Sequence, residues 1–249
     1  MSTPDVVLAA LFFAIAALYS SVGHAGASGY IAAMALLSLP ATTVKPTALA
    51  LNVLVASIGI VRFGLARLVP WKLVLPLVAA SAPAAYFGAS LHLEPQVYQR
   101  ALAAVLALAA IQLARTARVA PQREVELEVR PLPWPLALAI GAGIGVVSGI
   151  TGTGGAIFLT PLLLFARFAT TRIASGASVA FVLANSVSGL GALAPAAGGL
   201  PGALPLWLGA VALGALVGTQ LGRGALPVVE LRKVLAIVLV IAAGKLALT

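Results

Sequence analysis

No cysteine occurs among the 249 residues, and Asp, Glu, Lys and Arg together supply only 8% of them. The first absence excludes disulfides, thiol nucleophiles and cysteine metal sites. The second excludes a water-facing surface, because an ordinary soluble domain is about a quarter charged. Acidic residues are the scarcest, with six in all: Asp5, Glu94, Glu124, Glu126, Glu128 and Glu230. All six fall at the ends of apolar segments or in one polar linker, so no carboxylate is placed in the bilayer for a proton- or sodium-coupled cation carrier. Anions, neutral solutes or simple downhill export remain. Nothing gathers into a metal-ligand cluster, no cofactor motif is present, and the basic residues form no patch interleaved with aromatics that would suit nucleic acid.

What the chain has instead is 61% hydrophobic residues, a mean hydropathy of +1.11 and a net charge of +9. Long apolar runs joined by short charged links require a lipid bilayer as partner and solvent. The first run, Val6 to Tyr19, follows Asp5 rather than a basic stretch and leads into a glycine-rich turn, so it reads as part of the mature protein. Ten apolar segments can be drawn: 5–22, 29–39, 46–65, 71–91, 96–116, 133–149, 155–166, 173–194, 203–222 and 228–248. Two of them, 29–39 and 155–166, are too short to cross the hydrocarbon alone. The expected organisation is a first transmembrane repeat over 1–116, a cytoplasmic linker over 117–132 and a second repeat over 133–249.

The halves resemble one another. Gly23 to Gly29, followed by Tyr30-Ile31-Ala32-Ala33-Met34, aligns with Gly149 to Gly155, followed by Ala156-Ile157-Phe158-Leu159-Thr160. Further on, Ala41-Thr42-Thr43 matches Ala169-Thr170-Thr171, which sets Thr47 opposite Ser175 and Ser57 opposite Asn185. Five segments per half force opposite orientations. With the N-terminus outside, 12 of the 15 basic residues fall on the inner side, leaving only Lys45, Arg100 and Lys245 outside. The expectation is therefore an all-α polytopic membrane protein of two inverted-topology repeats, each of five apolar segments. A glycine-rich helix break or re-entrant hairpin stands at the start of each repeat, and both termini are extracytoplasmic in an inner-membrane protein. Such a plan places a solute near the midplane.

Glycine destabilises a helix interior by about 1 kcal/mol each, so Gly23, Gly26 and Gly29, and Gly149, Gly152, Gly154 and Gly155, should interrupt their helices. Freed backbone in the membrane must be buried in protein or line a watery cavity. Helices restarting after the two breaks would aim uncapped N–H groups at a common space, which favours an anion. Close helix crossing is the alternative use of these glycines. It fits Gly141/Gly145/Gly149, Gly214/Gly218/Gly222 and the weaker Ala80/Ala84/Gly88, which read as packing faces.

Candidate solute-binding residues are Gly23, His24, Gly26, Ser28, Gly29, Asn52, Ser57, Thr151, Gly152, Thr153, Gly154, Gly155, Asn185 and Ser186, with Ser20, Ser21, Ser188 and Gln220 as weaker ones. A serine or threonine alone more often bonds its own helix backbone. Asn52 and Asn185 carry amides that are harder to hide in hydrocarbon. His24, the one ionisable group placed beside a break, could meet an anion, carry a proton, or simply bond a freed carbonyl.

The paired breaks, Pro161-Leu162-Leu163-Leu164, Ala174-Ser175-Gly176-Ala177-Ser178 and Asn185-Ser186-Val187-Ser188-Gly189 resemble the TauE/SafE family, the sulfite exporter-like permeases. That resemblance implies a cytoplasmic-membrane permease for sulfur-containing anions such as sulfite or organosulfonates. Rival readings are an anion channel, which shares the same architecture, and an intramembrane serine protease. The latter rests on Gly26-Ala27-Ser28-Gly29, but His24 precedes Ser28 by only four residues and the other histidine, His92, sits at a segment end. Gly149-x-x-Gly152-x-Gly154 lacks the dinucleotide spacing and follows no strand. A homodimer is left open.

Overall fold

The apolar runs fold as ten helices in the computed structural model, which describes residues 3–21, 24–91, 93–118, 132–166, 168–194, 200–221 and 228–248. These are α1 (Thr3–Ser21), α2 (Ala27–Leu36), α3 (Ala41–Leu65), α4 (Trp71–Ser90), α5 (Pro95–Arg118), α6 (Trp134–Thr151), α7 (Ala156–Phe165), α8 (Thr171–Leu193), α9 (Leu204–Leu221) and α10 (Val228–Leu248). Among the described residues there is no strand. Five of the helices, α1, α3, α4, α6 and α8, are long and apolar enough to cross a membrane. At 10 residues each, α2 and α7 are about 15 Å long, half a hydrocarbon core. Gly23, His92, Gly222 and nearly all of the expected linker lie outside the described residues.

The main packed pairs are α4 with α6, α1 with α9, α5 with α10, α4 with α8, α3 with α8 and α3 with α9. Exchanging the halves, so that α1 becomes α6 and α4 becomes α9, returns the same set of pairs. Glycine makes the closest of these crossings possible. A Cβ on Gly141, Gly145 or Gly149 of α6 would lie 2.3, 2.4 or 2.1 Å from the carbonyl oxygens of Leu77, Ser81 and Ala85 on α4. One on Gly214 or Gly218 of α9 would lie 2.3 or 2.0 Å from those of Phe13 and Ala17 on α1. Real Cβ atoms do not come so near, so these helices touch backbone to backbone. Gly149 therefore belongs to a helix face and not to the break.

Side-chain register gives the helix directions. Gly59 lies against Val179, Asn52 bonds Ser186 and Gly189 lies against Leu49, so α3 and α8 run antiparallel. Rising numbers on α6 meet rising numbers on α4, and the same holds for α9 with α1, so those pairs are parallel. The third helices of the two halves thus cross at the centre in opposite senses. Around them sits an aromatic brace: Phe12 meets Tyr30 and Trp207 edge-on, with centroids 5.4 and 5.5 Å apart. Large apolar side chains point outward on α4, α9 and α10, including Leu75, Phe87, Leu213, Ile237 and Val240, as a lipid-facing surface requires.

Candidate functional site

Both helix breaks exist, and both restart on a left-handed glycine. Gly26 caps α2 at φ 97° and Gly155 caps α7 at φ 91°, neither helped by a side chain. This geometry pairs Gly26 with Gly155, whereas the glycine alignment paired Gly29 with Gly155. Gly29 and Ser28 are already helical in α2. Gly29 is glycine because a Cβ there would sit 2.5 Å from Ile15 Cγ2, while Ser28 Oγ lies 2.6 Å from the Tyr19 hydroxyl. The second break is the tighter one, with Gly152, Gly154 and Gly155 all at positive φ, a conformation that costs about 1–2 kcal/mol for most other residues.

The two breaks meet α3 at different levels. The first lies beside the C-terminal part of α3, where Ser20, His24 and Ala25 share a cavity of 10 Å³ with Val55, Gly59, Phe63, Val179 and Thr219, room for about one water. The second lies beside the N-terminal part, with Gly152 against Lys45 and Gly154 against Asn52. Along α3 the two levels come within three residues of each other, Asn52 at the second and Val55 at the first. What joins them is α7, which leaves the second break and brings Thr160 to the first. The His24 Nε2 to Thr160 Oγ1 distance is 2.9 Å, and Thr160 Oγ1 lies 2.7 Å from Ser178 Oγ. This line of polar groups crosses between the halves, and neither Thr160 nor Ser178 is among the candidate solute-binding residues of the sequence.

Eight of the fourteen expected site residues gather at the second break. Asn185 receives a hydrogen bond from Ser81 Oγ at 2.8 Å and donates to the Gly154 carbonyl at 3.3 Å, tying α8, α4 and the break together. Asn52 Nδ2 donates weakly to Ser186 Oγ at 3.4 Å, while its Oδ1 is buried without a partner among the described residues. The Thr151 and Thr153 hydroxyls lie 2.9 Å apart, and Thr151 also donates to Val147 O. Gly152 and Gly155 complete the group. Lys45 stands in it too. The sequence reading placed this lysine at the outer end of the third segment and named His24 as the one ionisable group at a break; in the structure Lys45 is buried against Gly152 and donates to Ala89 O at 2.9 Å.

The remaining expected residues divide. His24, Gly26, Ser28 and Gly29 form the first break and its opening turn, and Gly23 lies outside the described residues. Ser57 simply bonds its own helix at Val53 O, 2.6 Å. Ser28 Oγ lies 2.6 Å from the Tyr19 hydroxyl, and His24 Nε2 meets Thr160. Ser21 and Ser188 bond carbonyls of Leu18 and Ala82, and Gln220 is exposed. A larger cavity of 190 Å³ is lined by Ser38, Val44, Tyr98, Gln99 and Lys245 among others.

Comparison with known proteins decides the family. The profile described as Sulfite exporter TauE/SafE matches residues 8–246, nearly the whole chain. The chain belongs to this family. It is also 40% identical over 246 residues to the "Probable membrane transporter protein y4hK" of Sinorhizobium fredii (strain NBRC 101917 / NGR234), covering 99% of each chain. No solved structure matches it. As a TauE/SafE protein with five spanning-length helices, it is a multi-pass membrane transporter, and its polar core is to be read in that light.

Proposed function

We propose that the protein carries small anions, sulfur oxyanions such as sulfite or organosulfonates among them, across the cytoplasmic membrane by alternating access. The observation that carries the reading is the second break. There an uncapped helix N-terminus, a buried lysine and two buried asparagines converge, with no carboxylate bonded to them among the described residues. Helix N-termini and cations favour negative charge, and the family's description names sulfite. Support for inverted repeats over 1–116 and 133–249, joined by a cytoplasmic linker, comes from the antiparallel α3 and α8 and from the exchangeable packing list. The count of basic residues supports an inner-membrane orientation with both termini outside.

Movement of one packed group of helices against another, each drawn from both halves, is how such a fold would expose a site alternately. The α4–α6 and α1–α9 glycine contacts would keep each of those pairs moving as a unit. Flux in proteoliposomes tests the proposal. Sulfite, thiosulfate, methanesulfonate, sulfate and acetate are each offered to purified protein, and at least one sulfur oxyanion should show saturable counterflow. Currents that do not saturate would instead establish the channel reading, and no flux of any anion would overturn both.

A further inference from the structure

We infer that Lys45 is the solute's charge partner, so that one anion binds per chain and does so at the second break rather than the first; this rests on the anion-carrier reading. Lys45 sits on α3 one face-repeat from Asn52, seven residues apart, and both side chains abut the Gly152–Gly155 turn. Its stem packs on Gly152, and its ammonium has three donors, of which one is engaged by Ala89 O near the end of α4. A cap on α4 would by itself account for that bond. It does not account for the first-turn amides of α7, left without a side-chain cap. A buried ammonium whose described partner is a neutral carbonyl is undercompensated, and a negatively charged solute supplies what is missing.

The two breaks are not equivalent in this respect. Beside the first there is a histidine already bonded to Thr160, in a cavity with mostly apolar walls. Arg62 on α3 donates to Thr219 in the wall of that cavity, but it is only half-buried, whereas Lys45 is buried. Opposite Lys45 in the other half the chain has Ile173, and its neighbour Arg172 is exposed. Duplication therefore produced two breaks of like backbone, and the buried fixed charge stands at one of them.

The test compares wild type, Lys45→Gln and Lys45→Arg in proteoliposomes, with radiolabelled sulfite counterflow read as KM and maximal rate. Stabilisation of the purified proteins by sulfite against thermal unfolding is read in parallel. Lys45→Gln should raise KM at least about ten-fold and abolish the sulfite-induced shift, and Lys45→Arg should recover both in part. A Lys45→Gln protein that folds and keeps its KM within two-fold of wild type overturns the inference while leaving the carrier reading intact. Loss of stability in both variants with KM unchanged would assign Lys45 to capping α4 alone and overturn it equally. Absence of saturable flux in wild type would instead defeat the reading on which it rests. If Lys45→Gln does not fold, Lys45→Arg alone decides: an unchanged KM with sulfate transported as well as sulfite contradicts a single fixed charge in contact with the solute.

Discussion

Replacing Gly154 with Val should abolish anion flux, by about 100-fold or more, in a protein that still inserts and purifies as wild type does. Two effects combine at that position. Its backbone stands at φ 75°, where a β-branched residue is strained. A Cβ would also lie 2.8 Å from Val182 Cγ1 and 3.0 Å from Asn52 Nδ2, so the new side chain pushes α8 and α3 away from the turn. Strain and overpacking together amount to about 2–5 kcal/mol, large enough to remodel a short turn and smaller than the sum of contacts that hold ten helices. Removing the clash alone, with Val182→Ala in the same chain, should recover only part of the flux because the backbone conformation is still refused. Full recovery in the double variant would mean that the left-handed turn is not required, and undiminished flux in the single variant would mean that the break is not part of the path. Counterflow in proteoliposomes, normalised to inserted protein, reads both.

Asn185→Leu is expected to have the second largest effect. Its amide joins three elements: the oxygen accepts from Ser81 on α4, and the nitrogen donates to Gly154 O at the break. Leucine is near in size, so little cavity forms, but a hydroxyl and a carbonyl are left without their partner in a medium that has no water to offer. Each orphaned group costs about 1–3 kcal/mol. Flux should fall by about 10- to 100-fold and the thermal midpoint in detergent should drop. Asn185→Asp retains acceptors but adds a negative charge beside the anion site, so it should lower flux with a smaller loss of stability. Wild-type flux in Asn185→Leu would show the asparagine to be ordinary interhelical glue.

Glycine spacing is what the sequence expresses well. Gly141, Gly145 and Gly149 announced a packing face by their four-residue period, and backbone contact with α4 is what they make. The two breaks were legible because glycine clusters interrupt otherwise continuous apolar runs. Their register was not. Gly29 and Gly149 look like break residues in a string of letters, yet each is inside a helix, where it is small because Ile15 or Ala85 comes too near. A single chain does not distinguish a glycine needed for φ from one needed for closeness. Lys45 escaped for a different reason: by position it is one more basic residue at a segment end, and only the folding of the second break against α3 buries it. Thr160 and Ser178 escaped because a hydroxyl on a helix most often bonds its own turn, as Ser57 does; their link to His24 spans 136 positions and depends on how α7 is laid across the halves. The different levels at which the two breaks meet α3 likewise depend on how α2 packs on α3 and α7 on α8, which no local pattern encodes.

The absence of cysteine offers a direct measurement of whether the second break takes the solute, since any thiol introduced there is the only one in the chain. Thr153→Cys keeps a small polar side chain at the turn, and its modification by a negatively charged methanethiosulfonate can be followed in proteoliposomes that are turning over. Saturating methanesulfonate should slow that modification several-fold at Thr153→Cys and far less at Ala25→Cys beside the first break. Modification of Thr153→Cys at the same rate with and without the transported anion would contradict the account.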